Sequence, residues 1–124
     1  REAVDELGLH RGQPHLLHRL WEQDGLTQSE LGERLRVQPS TVSNMVTRMA
    51  EAGFVERRDD PRDQRVSRVY LTEKGRRIRE ELMTAEREIT DAVIQGFEKA
   101  EQEQLVGLLT RVHQNLQAYR ASSK

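Results

Sequence analysis

The sequence predicts a mainly α chain, of the α+β kind, in which one short β-hairpin interrupts a succession of helices. Apolar residues recur at helical spacing along most of the 124 residues, and one stretch near the middle switches to two-residue alternation. Residues that start and stop helices stand at the ends of the periodic runs. This length suits one domain with a core of its own. A hydrophobic fraction of 35% beside a charged fraction of 33% points to extensive charged surface, or to a core completed by a second chain. No apolar run approaches the roughly 18 residues of a membrane helix, so a soluble, cytoplasmic protein without a membrane partner is expected. The absence of cysteine excludes disulfide frameworks, thiol catalysis and cysteine redox sensing. The chain opens at Arg1 with neither a methionine nor an apolar signal segment, so part of the natural N-terminus is expected to lie outside this sequence.

Residues 1–7, "REAVDEL", read as the tail of a helix that closes at Gly8. Pro14 suits the first turn of the next helix, where its missing N–H costs nothing, and Leu17, Leu20 and Trp21 form an apolar face before Asp24-Gly25 ends it. Thr27 and Glu30 have the spacing of a capping box, so a short helix is expected with Leu31 and Leu35 inward. Pro39 then opens another helix, whose buried face is Val42, Met45, Val46 and Met49. Its opposite face carries Ser40, Thr41, Ser43, Asn44, Thr47 and Arg48, and Gly53 stops it.

"FVERR" and "VSRVYL" read as two short strands, with Val69 and Leu71 on one face and Arg68 and Tyr70 on the other. The mixed-charge stretch "DDPRDQR" between them is therefore a hairpin tip. Thr72 caps a long helix on which Ile78, Leu82, Ala85, Ile89, Ala92 and Gly96 recur in steps of four and three. Leu105, Leu109, Val112, Leu116 and Tyr119 repeat the pattern. Such seams on charged helices seek another helix, from this chain or from a second copy.

Charge is unevenly placed. Between Arg34 and Arg79 stand 12 Lys and Arg against 6 Asp and Glu, a local balance of +6, while the rest of the chain holds 8 against 15. A basic centre between acidic flanks suits a segment that meets a polyanion. The two short helices joined by "RVQPS" form a helix-turn-helix, and its second helix presents small polar side chains where they can reach base edges and phosphates. Ser40 and Thr41 lie in its first turn, which favours a phosphate oxygen, and Asn44 is equipped for a bidentate base contact beside Ser43, Thr47 and Arg48. A helix-turn-helix followed by a hairpin is a winged helix.

Residues 26–75, "LTQSELGERLRVQPSTVSNMVTRMAEAGFVERRDDPRDQRVSRVYLTEKG", resemble the DNA-binding lobe of the MarR (multiple antibiotic resistance regulator) family, and the order of flanking elements extends the likeness over nearly the whole chain. Most specific is "DQR" ahead of "LTEKG", which is similar to the family's Asp-x-Arg wing signature and its Leu-Thr-x-x-Gly. The resemblance implies a winged helix-turn-helix DNA-binding lobe at 26–75 within a single domain, with helical dimerisation regions at 1–25 and 76–124. It also implies that Arg65 enters the minor groove, that Asp63 steadies that region, and that Ser40, Thr41 and Asn44 face the major groove. A narrow minor groove independently favours a guanidinium, and a carboxylate two residues away can hold it extended by paired hydrogen bonds. Arg62 and Arg68 are expected at phosphates, whereas Asp59 and Asp60 are read as turn-forming, solubilising residues.

The implied function is a sequence-specific regulator of transcription, a homodimeric repressor on a palindromic duplex operator, responsive to a small aromatic acid. Residues 1–7 are shorter than the family's first helix, so part of the dimer interface is expected outside this sequence. For the effector, His10 and Arg11 sit near the junction where the family holds its ligands, and arginine can clamp a carboxylate. His15 and His18 have a spacing that can share a metal, but neither cysteine nor a tight carboxylate cluster adjoins them, so neither metal nor cofactor is expected. An enzyme would need a convergent acid, base or nucleophile, and the sequence offers no Gly-rich phosphate loop or nucleophile motif. A winged helix used as a protein-interaction module stays open at this point. Salt dependence separates it, because phosphate contacts make affinity fall steeply as salt rises.

Overall fold

The computed structural model describes residues 3–122, which divide after Glu88 into two compact units. The first two residues of the expected 1–7 helix tail lie outside the described residues. In the first unit the chain runs α1 (Ala3–Glu6), α2 (Gln13–Glu22), β1 (Leu26–Thr27), α3 (Gln28–Leu35), α4 (Pro39–Glu51), β2 (Val55–Asp59), β3 (Ser67–Leu71) and the first four turns of α5 (Glu73–Val93). The fold is mainly helical, with one small three-stranded antiparallel sheet of order β1-β3-β2.

The local signals act where they were expected. Pro14 stands in the first turn of α2. The capping box at α3 is complete, with Thr27 Oγ1 accepting from the Glu30 amide at 3.0 Å and Glu30 Oε1 accepting from the Thr27 amide at 2.9 Å. Pro39 opens α4, and Gly53 follows it at φ +88°, a conformation that costs glycine nothing. The hairpin register pairs Val55 with Leu71 and Asp59 with Ser67. Strand β1 was not anticipated. It is two residues long, too short to show periodicity, and is defined only by its pairing of Leu26 with Val69 and Thr27 with Arg68.

One core joins these elements. Leu9, Leu16, Leu17 and Leu20 from the N-terminal segments pack with Leu31, Val42, Val46, Met49, Phe54, Val55, Val69 and Leu71, and Ile78 and Leu82 of α5 complete the cluster. Packing is therefore continuous across residue 25. Two contacts fasten the start of α5. Thr72 Oγ1 caps it by accepting from the Gly75 amide at 3.1 Å, and the Thr72 amide donates to the Phe54 carbonyl at 3.1 Å. A Cβ at Gly75 would lie 2.1 Å from that same carbonyl oxygen, so only glycine lets the helix approach so closely. Trp21, half-buried, donates its indole N–H to the Gly75 carbonyl at 2.9 Å.

The long seam on α5 changes character along its length. Ile78, Leu82 and Ala85 are buried, whereas Ile89 and Ala92 are exposed, and Gly96 lies beyond the helix at φ +85°. The second unit holds the end of α5, a turn and α6 (Lys99–Ser122). No described residue of α6 is buried: Leu105 is half-buried, and Leu109, Val112, Leu116 and Tyr119 are 41–70% exposed. Among the described residues no helix is long and apolar enough to cross a membrane.

Candidate nucleic-acid interface

Helix α4 buries one face and presents the other. Val42, Val46 and Met49 sit in the core with Met45 half-buried, while Ser40, Thr41, Asn44, Thr47 and Arg48 are exposed and Ser43 is half-exposed. The seven-residue spacing of Val42 and Met49 fixes this orientation, since residues three and four apart share a face. The Thr47 hydroxyl donates to the Ser43 carbonyl at 2.9 Å, which leaves its oxygen lone pairs outward. Asn44 stands between these residues and is exposed.

The wing tip is built from aspartates. Asp60 is buried: its amide donates to the Val66 carbonyl at 2.9 Å, Oδ1 accepts from the Arg62 amide at 2.7 Å, and Oδ2 accepts from Arg68 Nε at 2.7 Å. The Arg62 amide and the Arg68 guanidinium hold the Asp60 carboxyl below the usual carboxylate range, and Asp60 raises Arg68 above its ordinary value. Three residues on, Asp63 accepts twice from the side chain of Arg65, Nε to Oδ1 at 3.0 Å and Nη2 to Oδ2 at 3.2 Å, and once from the Arg65 amide at 3.0 Å. The Arg65 guanidinium, seconded by its amide, lowers the Asp63 pKa. Arg65 nevertheless remains 90% exposed, held but presented. Arg62 is exposed, with only its amide tied to Asp60.

Two side chains differ from their expected places. Arg68 does not extend toward solvent as a phosphate contact would. Its Nη1 donates to the Gly25 carbonyl at 2.8 Å while Nε holds Asp60, so it ties the wing to the segment before β1. Asp60 does form the turn, but it is buried rather than solubilising, because two donors from different parts of the hairpin converge on it. Asp59, beside it, is exposed.

Sequence reasoning passed over Arg57. Its side chain lies on the same face of β2 as buried Val55, beyond the edge of the core, and reaches both Gln28 and Ser43. Two-residue alternation from Val55 was the signal that could have found it. Arg58, on the opposite face, lies over the Tyr70 ring at 4.5 Å and pairs with Glu56.

The expected effector residues His10 and Arg11 are exposed on the turn before α2, where the His10 amide donates to Gln13 Oε1 at 2.9 Å. His15 is exposed as well, and His18 directs Nε2 to the Glu86 carboxylate at 2.8 Å with its ring edge-on to Trp21. His15 and His18 are not joined there by a carboxylate cluster: among the described residues no group of three His, Asp or Glu side chains could hold a metal together.

Known proteins share this arrangement. Residues 9–67 match the model of the MarR family. The transcriptional regulator YsmB of Bacillus subtilis, described as an uncharacterized HTH-type regulator, is 32% identical over 108 residues, 81% of this chain and 74% of that protein. The crystal structure of the transcriptional regulator SlyA superposes with a TM-score of 0.85 at 29% identity, covering 98% of this chain and 85% of that one. The PcaV transcriptional regulator from Streptomyces coelicolor, solved in complex with its natural ligand, superposes with a TM-score of 0.77 at 25% identity over 90% of this chain and 82% of that one.

Proposed function

We propose that this chain, which belongs to the MarR family of winged helix-turn-helix, DNA-binding transcriptional regulators, is a cytoplasmic, homodimeric, ligand-responsive repressor of a palindromic operator. The observation that carries this reading is the joint presentation of the polar face of α4 and of Arg65 at the wing tip on one packed unit. Asn44 reads a base edge in the major groove, Ser40, Thr41, Ser43, Thr47 and Arg48 hold phosphates or neighbouring bases, and Arg62 meets the backbone. Arg65, steadied by Asp63, enters the adjacent minor groove, where negative potential favours a guanidinium. Arg68 serves indirectly, by holding Asp60 where the tip joins the strands.

The dimer rests on the uncovered apolar face of α6, with Leu109, Val112 and Leu116 as its centre. Two-fold symmetry sets the half-sites about one helical turn, roughly 10 bp, apart. A dimer seated on a promoter excludes polymerase by occupancy alone. Release requires only that an effector prefer the arrangement in which the two recognition helices miss their half-sites. A small aromatic acid, with His10 and Arg11 at its carboxylate, fits this role, and the capture of a natural ligand by the similar PcaV protein supports it.

The test is selection of bound fragments from the source genome by the purified protein, followed by titration of the selected site at several salt concentrations. A palindromic site with steeply salt-dependent affinity is expected. No measurable DNA binding at low salt would sink the reading in favour of a protein-interaction module. Leu116→Glu should convert a dimer to a monomer in sedimentation equilibrium, and an unchanged mass would remove α6 from the interface.

A further inference from the structure

We infer that Arg57 is a positioning residue that locks the recognition helix and the wing into one rigid reading head; the inference rests on the DNA-binding reading above. Its side chain leaves β2 on the core-facing side and meets two other elements at once. Nε donates to Gln28 Oε1 at 2.7 Å, at the first residue of α3, and Nη2 donates to the Ser43 carbonyl at 2.8 Å and lies 3.4 Å from the Ser43 hydroxyl, in the middle of α4. A planar guanidinium can span two acceptors in fixed directions, which an ammonium cannot. The same strand ends at Asp59, directly before Asp60, whose carboxylate closes the wing tip, so a restraint at Arg57 acts on Arg65 as well as on Asn44.

The geometry has a physical consequence for recognition. The α4 face and the wing tip must enter neighbouring grooves together, and any independent motion between them costs ordering free energy on binding. Arg57 removes that motion in the free protein. Ser43 is the junction of the lock: its carbonyl accepts from both Arg57 Nη2 and the Thr47 hydroxyl, one residue from Asn44. Arg57 is thus spent on protein acceptors at two of its nitrogens, unlike Arg65, whose guanidinium is held only by the tip it stands on.

The experiment compares Arg57→Lys, which keeps the charge but cannot hold both acceptors, with Gln28→Ala, which keeps Arg57 and removes one acceptor. The probes are a duplex selected by the wild-type protein from a randomised library and a shuffled duplex of equal composition. Each variant should lose about tenfold in affinity for the selected duplex and less than about threefold for the shuffled one. Gln28→Ala should leave the salt slope unchanged, and the double variant should be no worse than Arg57→Lys alone. Arg57→Lys binding the selected duplex as wild type does, or losses equal on both duplexes with a shallower salt slope in Arg57→Ala, would overturn the inference in favour of a phosphate contact. Amide exchange in the free protein decides the lock independently of DNA. Faster exchange at Asn44 and Thr47 in both variants supports it, and unchanged exchange overturns it. A wild-type protein that fails to separate the two duplexes would instead sink the DNA-reading function.

Discussion

The wing carries two aspartate–arginine pairs that share a chemistry and differ in what surrounds them. At the tip, Asp63 and Arg65 are two residues apart, 39% and 90% exposed, and their side chains pair within one turn, with the Asp63 carboxylate also accepting from the Arg65 amide. Where that tip joins the strands, Asp60 and Arg68 are eight residues apart across the hairpin, 11% and 34% exposed, and the arginine also reaches the Gly25 carbonyl. A pair formed within one turn can orient a side chain but cannot anchor a segment, because both partners move together. A pair formed across strands fixes the segment and withdraws its charge from any ligand. Identical residue types thus divide into a presented arginine and a structural one, and topology makes the division.

The sharpest way to break this contrast is to remove each arginine in turn. Arg65→Ala should weaken binding to a selected operator by roughly tenfold to a hundredfold, the range of a well-placed arginine contact, while dimer mass and melting temperature stay as in the wild type. Gel-shift titration and calorimetry measure the two halves. Undiminished affinity would remove the tip arginine from the interface.

Asp60→Ala should show the opposite signature. It leaves Arg68 without its carboxylate and the Arg62 amide without its acceptor, so the melting temperature should fall, and operator affinity should drop by about fivefold as the tip loses its fixed place. Arg68→Gln should share the loss of melting temperature. If instead it lowered affinity for all duplexes and flattened the salt slope with no change in melting, Arg68 would be a phosphate contact after all.

What the sequence made legible follows the same division between local and cross-chain interactions. The capping box at Thr27, the proline starts at Pro14 and Pro39, the buried stripe of α4 and the Asp63–Arg65 pair all act within a few residues, so spacing exposes them. Strand β1, the burial of Asp60, the inward hold on Arg68 and the reach of Arg57 to Gln28 depend on partners 8 to 43 residues away, which no periodicity records. The apolar seam of α6 was legible as a seam, but spacing within one helix does not record what covers it. The identities of the recognition-helix residues came from polarity and exposure, and their roles from family resemblance.

Acid should sharpen the contrast further. Both carboxyls titrate below their ordinary value of about 3.9 in the folded protein, Asp60 through the Arg62 amide and Arg68, Asp63 through Arg65. A depressed folded pKa gives stability that is present above the unfolded value and is lost as pH falls through the folded one. Asp60→Asn should therefore melt below the wild type at neutral pH, with the two curves converging as pH falls below about 4. Asp63→Asn should run closer to the wild type throughout, because its pair is open to solvent. Parallel curves for Asp60→Asn would show that its carboxylate is not the group that titrates.

The smallest expected effect belongs to Asp63 itself. Asparagine keeps one carbonyl oxygen, which can still accept from the Arg65 amide, but it loses the second oxygen and the charge that hold the guanidinium in a two-point grip. Arg65 would then sample more rotamers before binding, at a cost of about one immobilised side chain, so Asp63→Asn should weaken the selected operator by about threefold to fivefold. The shuffled duplex should respond differently. Removing a negative charge from the wing tip reduces repulsion from phosphates, so affinity there should hold or rise slightly. The ratio of the two affinities is the measurement that isolates pre-organisation from charge. An equal gain on both duplexes would mean that Asp63 acts on DNA only as a repulsive charge, and that Arg65 needs no grip to find its groove.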